Sequence, residues 1–202
     1  MEHPEVKLQL LSTCRSLFLK FGYGKVTVDE IAREMGISKK TIYVYFPGKK
    51  KILLEVMEGL RKDLSQGLEA IWAKTDLPFP TKCTQAFVHL ASQLSVITPY
   101  NIADMQKHTP EIWEYVKQIK KDYVYQTMFR YLEEGKRQGV FAADFSSEIL
   151  VLHFSATIHH LLDASGAMTE LPKHLREAIP STREQTFEAV VNLMFRGILK
   201  AN

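Results

Sequence analysis

Hydrophobic positions recur at helical spacing along most of the 202-residue chain, and alternating strand patterns are nearly absent. Val6, Leu10, Cys14, Leu17, Phe18 and Phe21 share one face of a first helix, predicted over 4–21 and ended by Gly22 and Gly24. Thr27 suits the N-cap of a second helix, and Glu30 three residues later completes a capping box. Ile31, Ala32 and Met35 fall on one face, and Gly36 supplies the stop. Ser38 caps a third, short helix that runs through Tyr45 and is closed by Pro47. A fourth begins near Gly48 and Lys49 and keeps its apolar spacing from Ile52 to Ile71. Further helices are predicted at about 81–97, 102–108, 110–138, 144–164 and 182–200, with Asp144 or Ser146 as a cap and 165–180 irregular. The expected class is all-α.

The stretch 27–51 carries the chemistry. Ala32 is small and lets the third helix cross closely over the second, while Ile37, Ile42 and Tyr45 or Phe46 turn inward. Lys39, Lys40, Thr41 and Tyr43 are left on the outer face. A short braced helix presenting such side chains fits the major groove of DNA. Between Gly36 and Leu54 stand five lysines and no acid. Residues 1–62 hold 12 Lys+Arg against 7 Asp+Glu, a net of +5, and the remainder nets −2. A basic N-terminal unit on a near-neutral remainder fits nucleic-acid binding at one end and another task at the other.

The last long helices are more apolar than one core requires. Residues 149–162 are apolar nearly all round, and Phe187, Val190, Val191, Met194, Phe195 and Ile198 form a stripe widened by Leu193 and Leu199. A helix apolar on every side needs burial on more than one side. A second subunit is the simplest cover, with Ile149, Leu152, Val190, Val191, Met194 and Ile198 at the seam. The alternative is a central core helix with no partner.

The N-terminus is acidic where a secretory leader would be basic, and no apolar stretch reaches the length of a membrane span. Cys14 and Cys83 lack metal-site spacing. A reducing cytoplasm is therefore expected, with neither disulfide nor cofactor. His159, His160 and Asp163 are the one cluster that could hold a metal, since His159 and Asp163 share a helix face, but no third ligand motif stands near. No Gly-rich phosphate loop, nucleophile elbow or paired-carboxylate motif occurs. An enzyme is not expected, and a helical metal-dependent enzyme is the remote alternative.

The segment Gly-Ile-Ser-Lys-Lys-Thr-Ile-Tyr-Val-Tyr-Phe-Pro-Gly-Lys (36–49) resembles the signature of the TetR (tetracycline-repressor-like) family of transcriptional regulators, as does the preceding stretch from Phe18 to Ala32. The resemblance covers about residues 6–57. It implies a homodimer whose first three helices bind a palindromic operator and whose C-terminal helices bind a small molecule and dimerise. The expected division is a helix-turn-helix DNA-binding domain over 1–50 and a helical effector-binding and dimerisation domain over 51–202. By position, Thr27 would contact phosphate as well as cap its helix. Lys39, Lys40 and Thr41 would face base edges or phosphates, Tyr43 and Tyr45 the backbone, and Lys49 a phosphate. Val44 stands where many members carry a polar or aromatic residue. Phe87, Met105, Trp113, Tyr123 and Phe154 would suit an apolar effector pocket, though the same residues also fit plain core. The expected function is a repressor released from DNA by a small, mostly apolar ligand; the alternative is a regulator controlled by a partner protein.

Overall fold

The computed structural model describes residues 4–162 and 171–198, and no strand forms among them. The helices are α1 (Pro4–Phe21), α2 (Val28–Met35), α3 (Lys39–Tyr45), α4 (Lys49–Trp72), α5 (Phe79–Leu94), α6 (Pro99–His108) and α7 (Pro110–Ile119). A π-helical turn, Lys120–Tyr125, leads directly into α8 (Gln126–Arg137). Then follow α9 (Ser147–Leu162), α10 (Lys173–Glu177) and α11 (Arg183–Arg196). The chain divides into two units. The first takes the described residues up to Asp63 together with Ile97–Gln118, and the second takes Leu64–Val96 and the described residues from Ile119 onward. The helix α4 contributes to both.

In the first unit Leu10, Cys14 and Phe18 of α1 are buried, as are Ile31 of α2, Ile42 of α3 and Ile52, Leu53, Val56 and Met57 of α4. Met105 and Ile112 add α6 and α7 to this buried set. Glu58 on α4 accepts hydrogen bonds from Arg61 and from the Tyr115 hydroxyl, which ties α4 to α7. Those donors, Arg61 foremost, hold its carboxyl down at about 2. The thiol of Cys14 is pushed up to about 12 by burial, so it packs as a small apolar group rather than reacting as a thiolate.

The second unit is built on aromatic contacts. Phe87 of α5 meets Phe154 of α9 edge-on at 5.3 Å between ring centroids, and Phe195 of α11 at 5.1 Å. Phe141 stacks on Phe195 at 5.4 Å. Cys83, Leu90, Met128, Leu132, Phe187 and Val191 complete the buried cluster.

Several helix ends differ from the pattern reading. Pro99 is a first-turn proline rather than a breaker, because Thr98 and Asn101 form a capping box ahead of it. Hence α6 starts three residues earlier than expected. Likewise α5 starts behind Pro78 with Pro80 in its first turn, and ends at Leu94. The expected single helix over 110–138 is interrupted by the π turn, whose wider spacing is invisible in an unbroken apolar pattern. Residues 165–180 are not wholly irregular, since α10 forms after Pro172. Ser146, not Asp144, caps α9 through the Ile149 amide at 3.1 Å.

The expected seam residues separate. Val191 and Ile198 are buried within the second unit's own core and cannot also cover a partner. Ile149 and Leu152 are 64% and 65% exposed, and Val190 and Met194 are half-buried. Leu193, beside them, is 74% exposed.

Glycine packing supplies a paired test. A Cβ on Gly135 would lie 2.1 Å from the ring of Phe141, which is wholly buried and held by Phe79 and Phe195. The ring has nowhere to go, so Gly135→Ala should destabilise the chain by about 1–3 kcal/mol. A Cβ on Gly59, mid-way along α4, would meet nothing within 4 Å. There the same substitution should stabilise by about 0.5–1 kcal/mol, because glycine loses more backbone entropy in a helix. Thermal denaturation of the two variants should shift in opposite directions.

Candidate nucleic-acid interface

The pair α2–α3 is set by local chemistry. The Thr27 hydroxyl accepts from the Glu30 amide at 3.2 Å, and Glu30 accepts from the Thr27 amide at 2.7 Å. The Thr27 amide, and after it the Thr27 hydroxyl at 2.9 Å, draw the Glu30 carboxyl below the usual carboxylate range. Gly36 closes α2 in the left-handed conformation, φ 65°, which a side chain would strain. Its amide and that of Ile37 are taken up by Arg33 and Ala32 carbonyls. The hydroxyl of Ser38 then accepts from the Thr41 amide at 3.1 Å and caps α3. Ile42 and Phe46 are almost fully buried and dock α3 on the unit.

What remains outward on α3 is a mixed cationic and amphipathic face. Lys39 and Lys40 are exposed, Tyr43 and Val44 are just over half exposed, and Thr41 is half-buried. The Lys39 ammonium pairs with Asp29 on α2 at 2.9 Å, a partner outside the sequence-level reading. That bond raises the lysine's pKa. Tyr45 is half-buried beside this face. A helix with cations, a hydroxyl, a phenol and a branched methyl pair on one side can meet both phosphates and base edges.

Lys49 is held by the loop between α1 and α2. Its ammonium donates to the carbonyls of Tyr23 and Val26, both at 2.8 Å, and sits 4.0 Å over the Tyr23 ring. Burial lowers its pKa, and the nearby Asp104 and Glu30 counter that. The lysine is therefore committed to the α1–α2 loop, and a phosphate would have to compete with two carbonyls for it. Helix α6 holds the same loop. Asn101 donates to the carbonyls of Phe18 and Leu19, Tyr100 donates to that of Phe21, and Asp104 accepts from the Gly24 amide. No local sequence signal marks these residues, which lie some 80 positions beyond the loop they hold.

The five residues expected to line an effector pocket do not form one set. Met105, buried, and Trp113, half-buried, belong to the first unit; Phe87, Tyr123 and Phe154 belong to the second. Phe87 and Phe154 are closed against each other as core. The second unit instead carries an open groove of about 630 Å³, lined by Tyr125, Phe129, Val151 and Leu152 with Lys121, Gln126, Glu148 and Ser155. No group of three or more potential metal ligands forms among the described residues. Asp163 lies outside them. Among them, no helix is long and apolar enough to cross a membrane.

Residues 10–56 match the family model for bacterial regulatory proteins of the tetR family. The chain is 35% identical over 78 residues to the HTH-type transcriptional regulator BetI of Agrobacterium fabrum, covering 39% of this chain and 37% of that protein. It is 33% identical over 60 residues to the HTH-type transcriptional regulator EthR of Mycolicibacterium smegmatis, covering 30% of this chain and 28% of that protein. The matches thus span well under half of these relatives. Over nearly the whole length the fold is similar to that of the ketosteroid transcriptional regulator KstR2 of Mycobacterium tuberculosis. There the TM-score is 0.70 at 17% identity, covering 99% of this chain and 98% of that one. A putative transcriptional regulator from Saccharomonospora viridis, in complex with choline, also gives 0.70, at 21% identity and 98% and 100% coverage.

The cap of α3 is directly testable. Ser38→Ala should cost about 1 kcal/mol, whereas Ser38→Asp, which keeps an acceptor for the Thr41 amide, should cost little. Urea unfolding followed by circular dichroism ranks the two; equal costs would show that the hydroxyl does not cap.

Proposed function

We propose that this chain is a regulator of the TetR type, a sequence-specific DNA-binding transcriptional regulator that acts as a homodimer; the match of residues 10–56 to the family model supports this. The observation that carries the reading is the outward face of α3. Lys39, Lys40, Thr41, Tyr43 and Val44 project from a capped helix in a stretch without acidic residues. Thr41 and Val44 offer methyl and hydroxyl contacts to base edges, and the lysines and tyrosines supply charge and hydrogen bonds to phosphates.

The homodimer rests on α9 and α11. Ile149, Leu152 and Leu193 are exposed apolar side chains, and a monomer gains nothing by keeping them wet. A twofold arrangement would set two copies of α3 about 34–36 Å apart, matching half-sites one helical turn apart on a palindromic operator.

Release from DNA by a small, largely apolar molecule completes the proposal. The groove in the second unit has the volume of a small-molecule site, usually about 300–1,000 Å³, and combines apolar walls with a few polar groups. The choline held by the Saccharomonospora viridis regulator supports the general idea of an effector and says nothing of its identity here. Control by a partner protein is the second reading. It draws on the exposure of Phe129 at that groove.

Duplexes selected by the parent protein from a random pool test the first part. Thr41→Ala should cost about 1–3 kcal/mol and relax specificity at one position, while Lys40→Ala should weaken all sequences alike and flatten the salt dependence. Parental affinity in both variants sinks the DNA reading. Light scattering tests the second part. The parent should be a dimer at micromolar concentration, and Leu193→Glu should yield a folded monomer, since the residue is exposed in the single chain. A parent that stays monomeric removes the homodimer.

A further inference from the structure

We propose that Asp104, on α6, is the positioning residue that fixes the loop between α1 and α2 and thereby the seat of the DNA-reading pair. The inference rests on the DNA-binding reading above. A helix leaves its last four carbonyls without internal partners. At the end of α1, Asn101 and Tyr100 of α6 donate to the carbonyls of Phe18, Leu19 and Phe21, at 3.3, 3.1 and 2.9 Å, and the Phe18 carbonyl also accepts from the Gly22 amide at 2.9 Å. Beyond them the chain turns at Gly22, φ +84°. Both carboxylate oxygens of Asp104 accept from the Gly24 amide, at 3.2 and 3.1 Å. The Asp104 side chain is only 10% exposed, while the Gly24 end of the bond lies at the surface.

The loop is held from its other edge by Lys49, which takes the carbonyls of Tyr23 and Val26. An acid thus grips the Gly24 N–H and a base grips carbonyls on either side of it. Thr27, the cap of α2, follows Val26 directly. Any shift of α6 that withdraws Asp104 frees the segment immediately before that cap. The glycine is part of the device. A Cβ at position 24 would lie 2.6 Å from Nε2 of His108 and 2.8 Å from an Asp104 oxygen. Gly24→Ala therefore wedges the same contact open from the loop side.

The test uses the full chain and compares Asp104→Ala, Asp104→Asn and Gly24→Ala with the parent. Amide hydrogen exchange at Gly24 and affinity for a duplex selected by the parent from a random pool are measured on each. Asp104→Ala and Gly24→Ala should both speed exchange at Gly24 and weaken duplex binding by at least about fivefold, the low end of ordinary coupling between sites. Asp104→Asn keeps one carbonyl acceptor and should fall between parent and alanine on both readouts. The buried amides of α11 should keep their protection throughout. Unchanged exchange at Gly24 in Asp104→Ala overturns the latch. Faster exchange with unchanged affinity overturns its positioning role, and equal loss of protection in α11 reduces the residue to general stability. Should the parent select no duplex, the DNA reading fails and the positioning role with it, while exchange at Gly24 still decides whether the latch exists.

Discussion

A helix of seven residues cannot stand by itself in water, because too few hydrogen bonds offset the cost of starting it. That constraint shapes the first unit. The helix α3 persists because Ile42 and Phe46 are buried, Ser38 takes its free Thr41 amide, and Gly36 turns the chain sharply off α2. Each device is on the inner side or at an end. The outer side is thereby released from any structural duty, and lysine, tyrosine and valine can occupy it. An amphipathic helix under tertiary restraint has a surface free for contact in a way that a self-stabilised helix, laced with its own ion pairs, does not.

The second unit meets a different demand. Its centre is aromatic, with Phe87, Phe141, Phe154 and Phe195 in mutual contact, so that large side chains fill the space between α5, α9 and α11. Close helix approach there depends on glycine. Gly135 is nearly touched by Phe141, and Gly67 by the His89 ring, whose Nε2 lies 3.1 Å from the Leu64 carbonyl. The core leaves Ile149, Leu152 and Leu193 outside it, which is where the chain is more apolar than folding alone requires.

How much of this was legible in the sequence follows from range. Signals acting over three or four residues were readable: the Thr27–Glu30 box, the Gly36 stop and the Ser38 cap are all in place. Proline was harder, because the same residue breaks a helix inside it and starts one at its first turn, and only the Thr98–Asn101 box decides which happens at Pro99. Periodicity identified that α9 and α11 are apolar on excess faces. It could not say which residues face inward, so Val191 and Ile198 were grouped with Ile149 and Leu152 although they lie in the core. The effector residues meet a related difficulty: aromatic content marks burial, and nothing in it separates a closed contact such as Phe87–Phe154 from an open cavity wall. The hold of α6 on the α1–α2 loop was out of reach, since Asp104 and Gly24 are joined by folding alone.

The placement of Lys49 bears on how the proposed interface reads DNA. With that ammonium turned to the Tyr23 and Val26 carbonyls, the cations left at the face are Lys39 and Lys40, and α3 contains no arginine. Lysine acts as a point charge, whereas the planar fork of arginine recognises guanine in bidentate fashion. In the proposed reading, discrimination among sequences would then fall to Thr41 and Val44, whose methyl and hydroxyl groups suit thymine methyls better than guanine. The pairing of Lys39 with Asp29 does not remove it from this task. Both partners are solvent-exposed, and an exposed ion pair is weak because water and salt screen it. A phosphate arriving at α3 meets a lysine already charged and oriented, while Asp29 discourages any approach that would bring phosphates over α2. In the proposed reading, the acid would therefore bias the direction from which a backbone enters.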